Sequence, residues 1–266
     1  MTNIFKKLIK TALATVVMVA AVGTPVVAAP ILYIDDNAGN LGTVDVATGA
    51  VTVIGNTGLF FVDIAFDPTG ILYGITFNSL YQINKTTAVV TLVGNFGTTL
   101  NSLVFGSDGT LYAANNGLYK LNTATGAATL IGNGGYAYNS SGDLAFANGN
   151  LFLTSSGADN LVSLNTASGV GTLVGGIGFA AVYGLASNDG INLFGLSGTQ
   201  ILGINTSTGA GTLLGNYGGQ GLSAANGSAF FAEAGAAVPE PATAALFGLA
   251  AFGIACVRRR SKAPVA

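Results

Sequence analysis

The chain has no histidine and no tryptophan, and its only cysteine is Cys256. Without imidazole, neither a histidine-activated serine or cysteine nucleophile nor a histidine-ligated zinc site can be built. One cysteine excludes an internal disulfide, so stability must come from burial and backbone pairing. Basic residues are scarce and badly distributed. Seven of the nine lie at the ends, as Lys6, Lys7, Lys10, Arg258, Arg259, Arg260 and Lys262. From Ala29 to Val238, Lys85 and Lys120 stand against ten acidic residues, a net charge of −8 for that stretch. Nucleic acid and anionic lipid headgroups are poor partners for such a surface. Gly-rich stretches such as Gly132-Asn133-Gly134-Gly135 lack the Lys-Ser/Thr of a phosphate loop and open no helix, so they read as turns.

The ends carry their own signals. Lys6, Lys7 and Lys10 precede an uncharged, mostly apolar run from Thr11 to Val22, broken by Gly23 and Pro25 and followed by the small residues Ala28 and Ala29. That order is a secretory signal peptide, 1–28, with cleavage after Ala28; an apolar run of about a dozen residues is short for a span of about 20. Export of this kind runs through the Sec pathway. At the other end, Pro239, Glu240 and Pro241 precede an uncharged run from Ala242 to Val257, then Arg258 to Arg260 and Lys262. Those sixteen residues reach ~24 Å as a helix, enough to cross a bilayer with their flanks. The basic end holds that terminus in the cytoplasm and leaves the bulk of the chain outside.

A plain stop-transfer helix does not account for Pro239-Glu240-Pro241. The ordered set of Pro239, Glu240 and Pro241, then the apolar run 242–257, then Arg258, Arg259 and Arg260 resembles the PEP-CTERM sorting signal of Gram-negative bacteria. The resemblance covers about the last 28 residues. It implies recognition and cutting by an exosortase, a transient inner-membrane anchor before processing, and a cell-surface or extracellular-matrix destination. Two prolines hold an extended segment suited to a protease cleft.

Between the two signals, 29–236 repeats. An Asx-x-x-Thr/Ser-Gly phrase, with Ala88 in place of the glycine in the second copy, begins at Asp45, Asn84, Asn122, Asn165 and Asn205, at spacings of 39, 38, 43 and 40. An apolar strand precedes each phrase, as in Leu80-Tyr81-Gln82-Ile83, and a β-branched strand follows, as in Val90-Thr91-Leu92-Val93. The Asx side chain opens the turn and the glycine closes it at positive φ. Two further strands complete each unit, as in Val62 to Phe66 and Ile71-Leu72-Tyr73. Four short antiparallel strands per ~40 residues, repeated five times, predict an all-β chain folded as a β-propeller of about five four-stranded blades. The rival architecture is a β-solenoid. A final inner strand at Gln220 to Ala224 would complete the blade begun by Ile31 to Ile54, and Phe230-Phe231-Ala232 would be an edge extension or the start of a sixth, degenerate blade. The stretch Ile64-Ala65-Phe66-Asp67-Pro68-Thr69-Gly70-Ile71-Leu72-Tyr73 is similar to the repeat unit of a broad class of propellers, which implies a fold and no activity.

Two sets of residues are candidates for chemistry. Asp63 and Asp143 open inner strands, where Ser102, Gly184 and Gly221 fill the equivalent positions. Two carboxylates at a channel mouth are a minimal Ca²⁺ set, and equally suit capped strand starts. The second set is aromatic. Phe60, Phe61, Phe96, Tyr136, Tyr138, Phe179 and Tyr217 fall in the loops that enter the inner strands. They form either an exposed rim for sugars or apolar partners, or covers over the open ends of the inter-blade core. No cofactor other than Ca²⁺ is suggested. The reading is an exported, non-catalytic protein that binds exopolysaccharide or surface proteins through a propeller face. The alternative is a Ca²⁺-dependent hydrolase or lyase.

Overall fold

A computed structural model describes residues 30–235; the signal peptide, the Pro-Glu-Pro motif, the helix 242–257 and the basic tail lie outside them. Twenty strands form five four-stranded antiparallel sheets. Blade 1 holds β1 (Ile31–Asp36), β2 (Asn40–Asp45) and β3 (Val51–Asn56). Blade 2 is β4 (Asp63–Phe66), β5 (Leu72–Ile75), β6 (Ser79–Ile83) and β7 (Val90–Asn95). Blade 3 is β8 (Ser102–Phe105), β9 (Leu111–Ala114), β10 (Leu118–Leu121) and β11 (Ala128–Gly132). Blade 4 is β12 (Ser140–Ala147), β13 (Asn150–Ser155), β14 (Asn160–Leu164) and β15 (Gly171–Gly176). Blade 5 is β16 (Val182–Ala186), β17 (Leu193–Ser197), β18 (Gln200–Ile204) and β19 (Gly211–Asn216), and β20 (Ala225–Phe230) returns to β1.

The inner strands β4, β8, β12, β16 and β20 pack in that order around an axis, and β20 meets β4 to close the ring. Five apolar clusters fill the five gaps between neighbouring blades. The fold is a five-bladed propeller. Among the described residues, no helix is long and apolar enough to cross a membrane.

Ring closure differs from the sequence reading by five residues. The strand that completes blade 1 is Ala225–Phe230, and Gln220 to Ala224 is the segment leading to it. Leu222 turns into the gap between blades 5 and 1, and Tyr217 covers it, so this lead-in is held by its own side chains rather than by a ladder. Asn37 N–H donates to Ala224 O at 3.0 Å, and Ser223 N–H to Asp36 Oδ2 at 2.9 Å, tying the two ends of the domain together. Phe230 therefore ends the fifth inner strand, and Phe231 and Ala232 enter a turn, so no sixth blade begins here.

The repeat phrase does more than turn the chain. In four blades its glycine sits at φ +68° to +80°: Gly49, Gly126, Gly169 and Gly209; blade 2 places Ala88 there at φ +59°. These turns press against the outer strand of the neighbouring blade. A Cβ on Gly126 would lie 2.6 Å from the carbonyl carbon of Gly94, and one on Gly209 would lie 2.7 Å from that of Gly175. Glycine on both sides lets blade backbones touch, which fixes the angle between blades.

Candidate functional site

The inner strands align at Phe66, Phe105, Phe146, Ser187 and Phe230, at or within one residue of the strand ends. Three positions earlier stand Asp63, Ser102, Asp143, Gly184 and Gly227; the fifth member is Gly227, not Gly221. This layer is sealed. Asp63 and Asp143 have no exposed surface, so the structure does not place them at a channel mouth. Asp63 instead ties two blades together, and Asp143 three. Asp63 accepts from Ile64 N–H at 2.7 Å and from Leu103 N–H of the next blade at 2.5 Å. Asp143 accepts from Leu144 N–H at 2.7 Å, Leu185 N–H at 2.6 Å and Ser228 N–H at 3.1 Å.

A third carboxyl joins them. Asp35 pairs with Gly227 in the β1–β20 ladder, and a Cβ on Gly227 would strike Asp63 Oδ1 and lie 2.9 Å from Asp35 Oδ1. Asp35 is 2 % exposed, and neither of its oxygens has a hydrogen-bond partner. Desolvation pushes all three carboxyls well above the usual range. At Asp63 the charges of Asp143 and Asp35 add to it, at Asp143 that of Glu233, and at Asp35 that of Asp36. A cation needs carboxylate lone pairs that are free and reachable. Those of Asp63 and Asp143 face N–H donors, and all three carboxyls lie in a closed layer. Among the described residues, no group of three or more His, Cys, Asp or Glu side chains is arranged to hold a metal.

The expected aromatic rim is mostly absent. Phe61 is buried between blades 1 and 2 and Phe96 between blades 2 and 3, and Phe179 packs on the core between blades 4 and 5. Tyr138 is buried with its hydroxyl donating to Gly169 O at 2.8 Å; burial pushes that hydroxyl up to about 12. Tyr217 is fully buried, its hydroxyl 3.1 Å from Gly198 O and from Ser223 O. Tyr136 is half-buried and accepts from Asn160 Nδ2 at 3.0 Å. Wedge-shaped gaps between blades open where the loops enter, and these rings fold inward to close them. Of the seven rim candidates, Phe60 alone is well exposed, at 50 %.

Phe60 belongs to a different site, one residue above the sealed layer. The position before Asp63 and its equivalents is occupied by Val62, Asn101, Gly142, Tyr183 and Asn226, one from each blade. These five, with Phe60, Phe77 and Ser141, line a cup of about 300 Å³ at the entry end of the axis. Its floor is closed because the backbones meet there: a Cβ on Gly142 would lie 2.9 Å from Tyr183 O and 3.2 Å from Asn226 O. Three aromatic rings are presented to solvent, Phe60, Phe77 at 47 % and Tyr183 at 41 %. Asn101 Nδ2 donates to Ser140 O at 2.9 Å, while its Oδ1 is buried without a donor. Phe77, Asn101, Ser141, Tyr183 and Asn226 escape a motif search. Their signal is that the five repeats disagree at this position, and that a phenylalanine sits in the tight turn between β5 and β6.

Residues 237–260 match the PEP-CTERM protein-sorting motif. The chain carries a PEP-CTERM sorting signal. The match contains Pro239, Glu240, Pro241 and Arg258 to Arg260, as the sequence resemblance anticipated. The PEP-CTERM motif marks an exported protein sorted to the cell surface, and it implies processing by an exosortase. No curated protein matches the chain.

Solved structures resemble the propeller. A Bacteroides thetaiotaomicron protein of unknown function is 14 % identical, with a TM-score of 0.52 over 70 % of this chain and 55 % of that one. The PEP-CTERM chain thus spans about half the length of that relative. A chain of a nidogen/laminin complex is 9 % identical, with a TM-score of 0.54 over 75 % of this chain and 97 % of that one. At these identities the likeness concerns the fold alone.

Proposed function

We propose that the propeller is a non-catalytic binding module, delivered to the cell surface by its PEP-CTERM signal, that contacts a ligand through the cup at the entry end of its axis. The observation that carries this reading is the cup itself: five equivalent positions, one per blade, that the repeats fill unequally, with Tyr183 exposed, Asn101 and Asn226 half-buried, and Phe60 and Phe77 exposed beside them. Supporting the non-catalytic part, the chain has no histidine, and the axial carboxyls lie beneath the cup floor, where no substrate reaches them. Delivery follows the order of the signals: Sec export, transient anchoring by the helix 242–257, then exosortase cutting near Pro239-Glu240-Pro241.

The test is a pull-down of surface polysaccharide and surface protein fractions with the exported protein, comparing wild type with Phe60→Ala and Tyr183→Ala. The reading expects retention of one fraction by wild type and its loss in both variants. Equal retention by all three would reject the cup as the binding face. Hydrolysis or elimination products released from either fraction would reject the non-catalytic part. A mass measurement of the exported form checks processing: a product that retains Ala242–Ala266 would contradict it.

A further inference from the structure

We infer that the ligand of this cup is an uncharged glycan, seated by one sugar residue at a time, rather than an anionic polymer or a protein surface. The inference rests on the cup being the binding face. None of its eight lining residues carries a charge, and the carboxyls directly beneath it are sealed from any cation that could recruit an anion. The surrounding domain, at a net −8, repels polyanions such as uronate-rich polymers.

What the cup offers instead is the chemistry of a sugar. A pyranose has apolar C–H faces and a rim of hydroxyls. Phe60, Phe77 and Tyr183 expose aromatic surface from three separate segments, suited to the first. Asn101, which lines the cup, has its Oδ1 without a hydrogen-bond partner. A buried acceptor without a donor costs about 1–3 kcal/mol, and a ligand hydroxyl supplies the donor that the protein does not. Size points the same way. About 300 Å³ is the lower end of small-ligand pockets, whereas a stable protein interface buries about 800 Å² per partner.

A glycan array probed with the exported protein tests this, carrying neutral glycans beside uronate- and sulfate-bearing ones. The expected hits are neutral glycans, weakened at least about tenfold by Tyr183→Ala, by Asn101→Ala and by Phe60→Ala. Phe60 is half exposed and packs no core, so its removal reads binding without unfolding the ring. Hits confined to anionic glycans, neutral hits indifferent to all three variants, or no hits at all would overturn the inference. The pull-down above separates the two failures. A cup-dependent protein partner would leave the binding face standing and remove only the glycan. No cup-dependent partner of either kind would remove both.

Discussion

The outer hairpins of the five blades are nearly interchangeable, and the inner strands are not. Every outer strand carries a threonine beside an exposed Val or Leu (Val53, Leu92, Leu130, Leu173, Leu213), and every one has the same register slip against its neighbour. Repeating one hairpin five times fixes the spacing and tilt of the blades, so each copy is held to the same packing. Along the axis, five copies of one strand face one another across a short distance, and identical side chains would collide or leave gaps. The layer Asp63, Ser102, Asp143, Gly184, Gly227 solves this with unequal sizes, and the ring above it uses the same licence to shape a cup. The outer hairpins build the ring; the unequal inner strands give it something to do.

The largest expected effect breaks the outer half of that comparison. Gly126→Ala puts a methyl against the Gly94 backbone at a φ of +76°, with no flexible neighbour to move. We expect a loss of about 3 kcal/mol or more in denaturant unfolding, or no folded protein. Gly178→Ala, at φ +80° with nothing nearby, should cost only about 1 kcal/mol. Similar losses for the two would show that blade-to-blade contact is not what the phrase glycine provides.

The next effect lies on the axis. The Asp35, Asp63 and Asp143 carboxyls, and that of Glu233, are raised by desolvation. Their unfolded values are near 4, so above that pH the folded chain holds more protons than the unfolded one. Stability from these groups is therefore full in acid and falls as pH rises from about 4 through the raised values. Melting curves from pH 4 to 9 should show a falling midpoint, and Asp35→Asn should flatten that fall and raise stability at pH 8 by roughly 1–3 kcal/mol. A midpoint that climbs toward neutral pH would contradict a sealed layer of raised carboxyls.

The smallest effects sharpen the comparison. Phe60→Ala should leave stability within about 0.5 kcal/mol while removing ligand binding. At Ala88, the one phrase position without glycine, Ala88→Gly relieves a left-handed alanine worth about 1–2 kcal/mol and exposes the site of a buried methyl worth about 0.8. The net should be within about 1 kcal/mol of zero, measured by the same unfolding experiment.

The contrast also explains what was legible in the sequence. The hairpin phrase recurs because its turn chemistry is local, so blade number, strand number and the closure of the ring from both termini could be read from spacing. The sorting signal is equally local: Pro239-Glu240-Pro241 and Arg258 to Arg260 are read one after another along the chain. The closing strand was displaced because Gln220 to Ala224 has the apolar pattern of a strand, whereas Ala225 to Phe230, rich in small residues, is shaped by the crowded axis it fills. The aromatics next to inner strands allowed two readings, rim or cover, and the cover reading holds for all but Phe60 because each gap between blades needs closing. Whether Asp63 meets water or a neighbouring strand's N–H depends on how five strands converge, and no single repeat contains that information. The cup is legible only by comparing copies at one position and asking where they differ.

Hydrogen–deuterium exchange on the exported protein, with and without its retained surface polymer, tests the central claim most directly. The account predicts new protection at the entry end of the inner strands, around Phe60 to Val62, Phe77, Asn101, Ser141-Gly142, Tyr183 and Asn226, with the outer strands unchanged. Protection confined to the outer strands β3, β7, β11, β15 and β19 would contradict it, placing contact on the repeated rim rather than on the unequal centre.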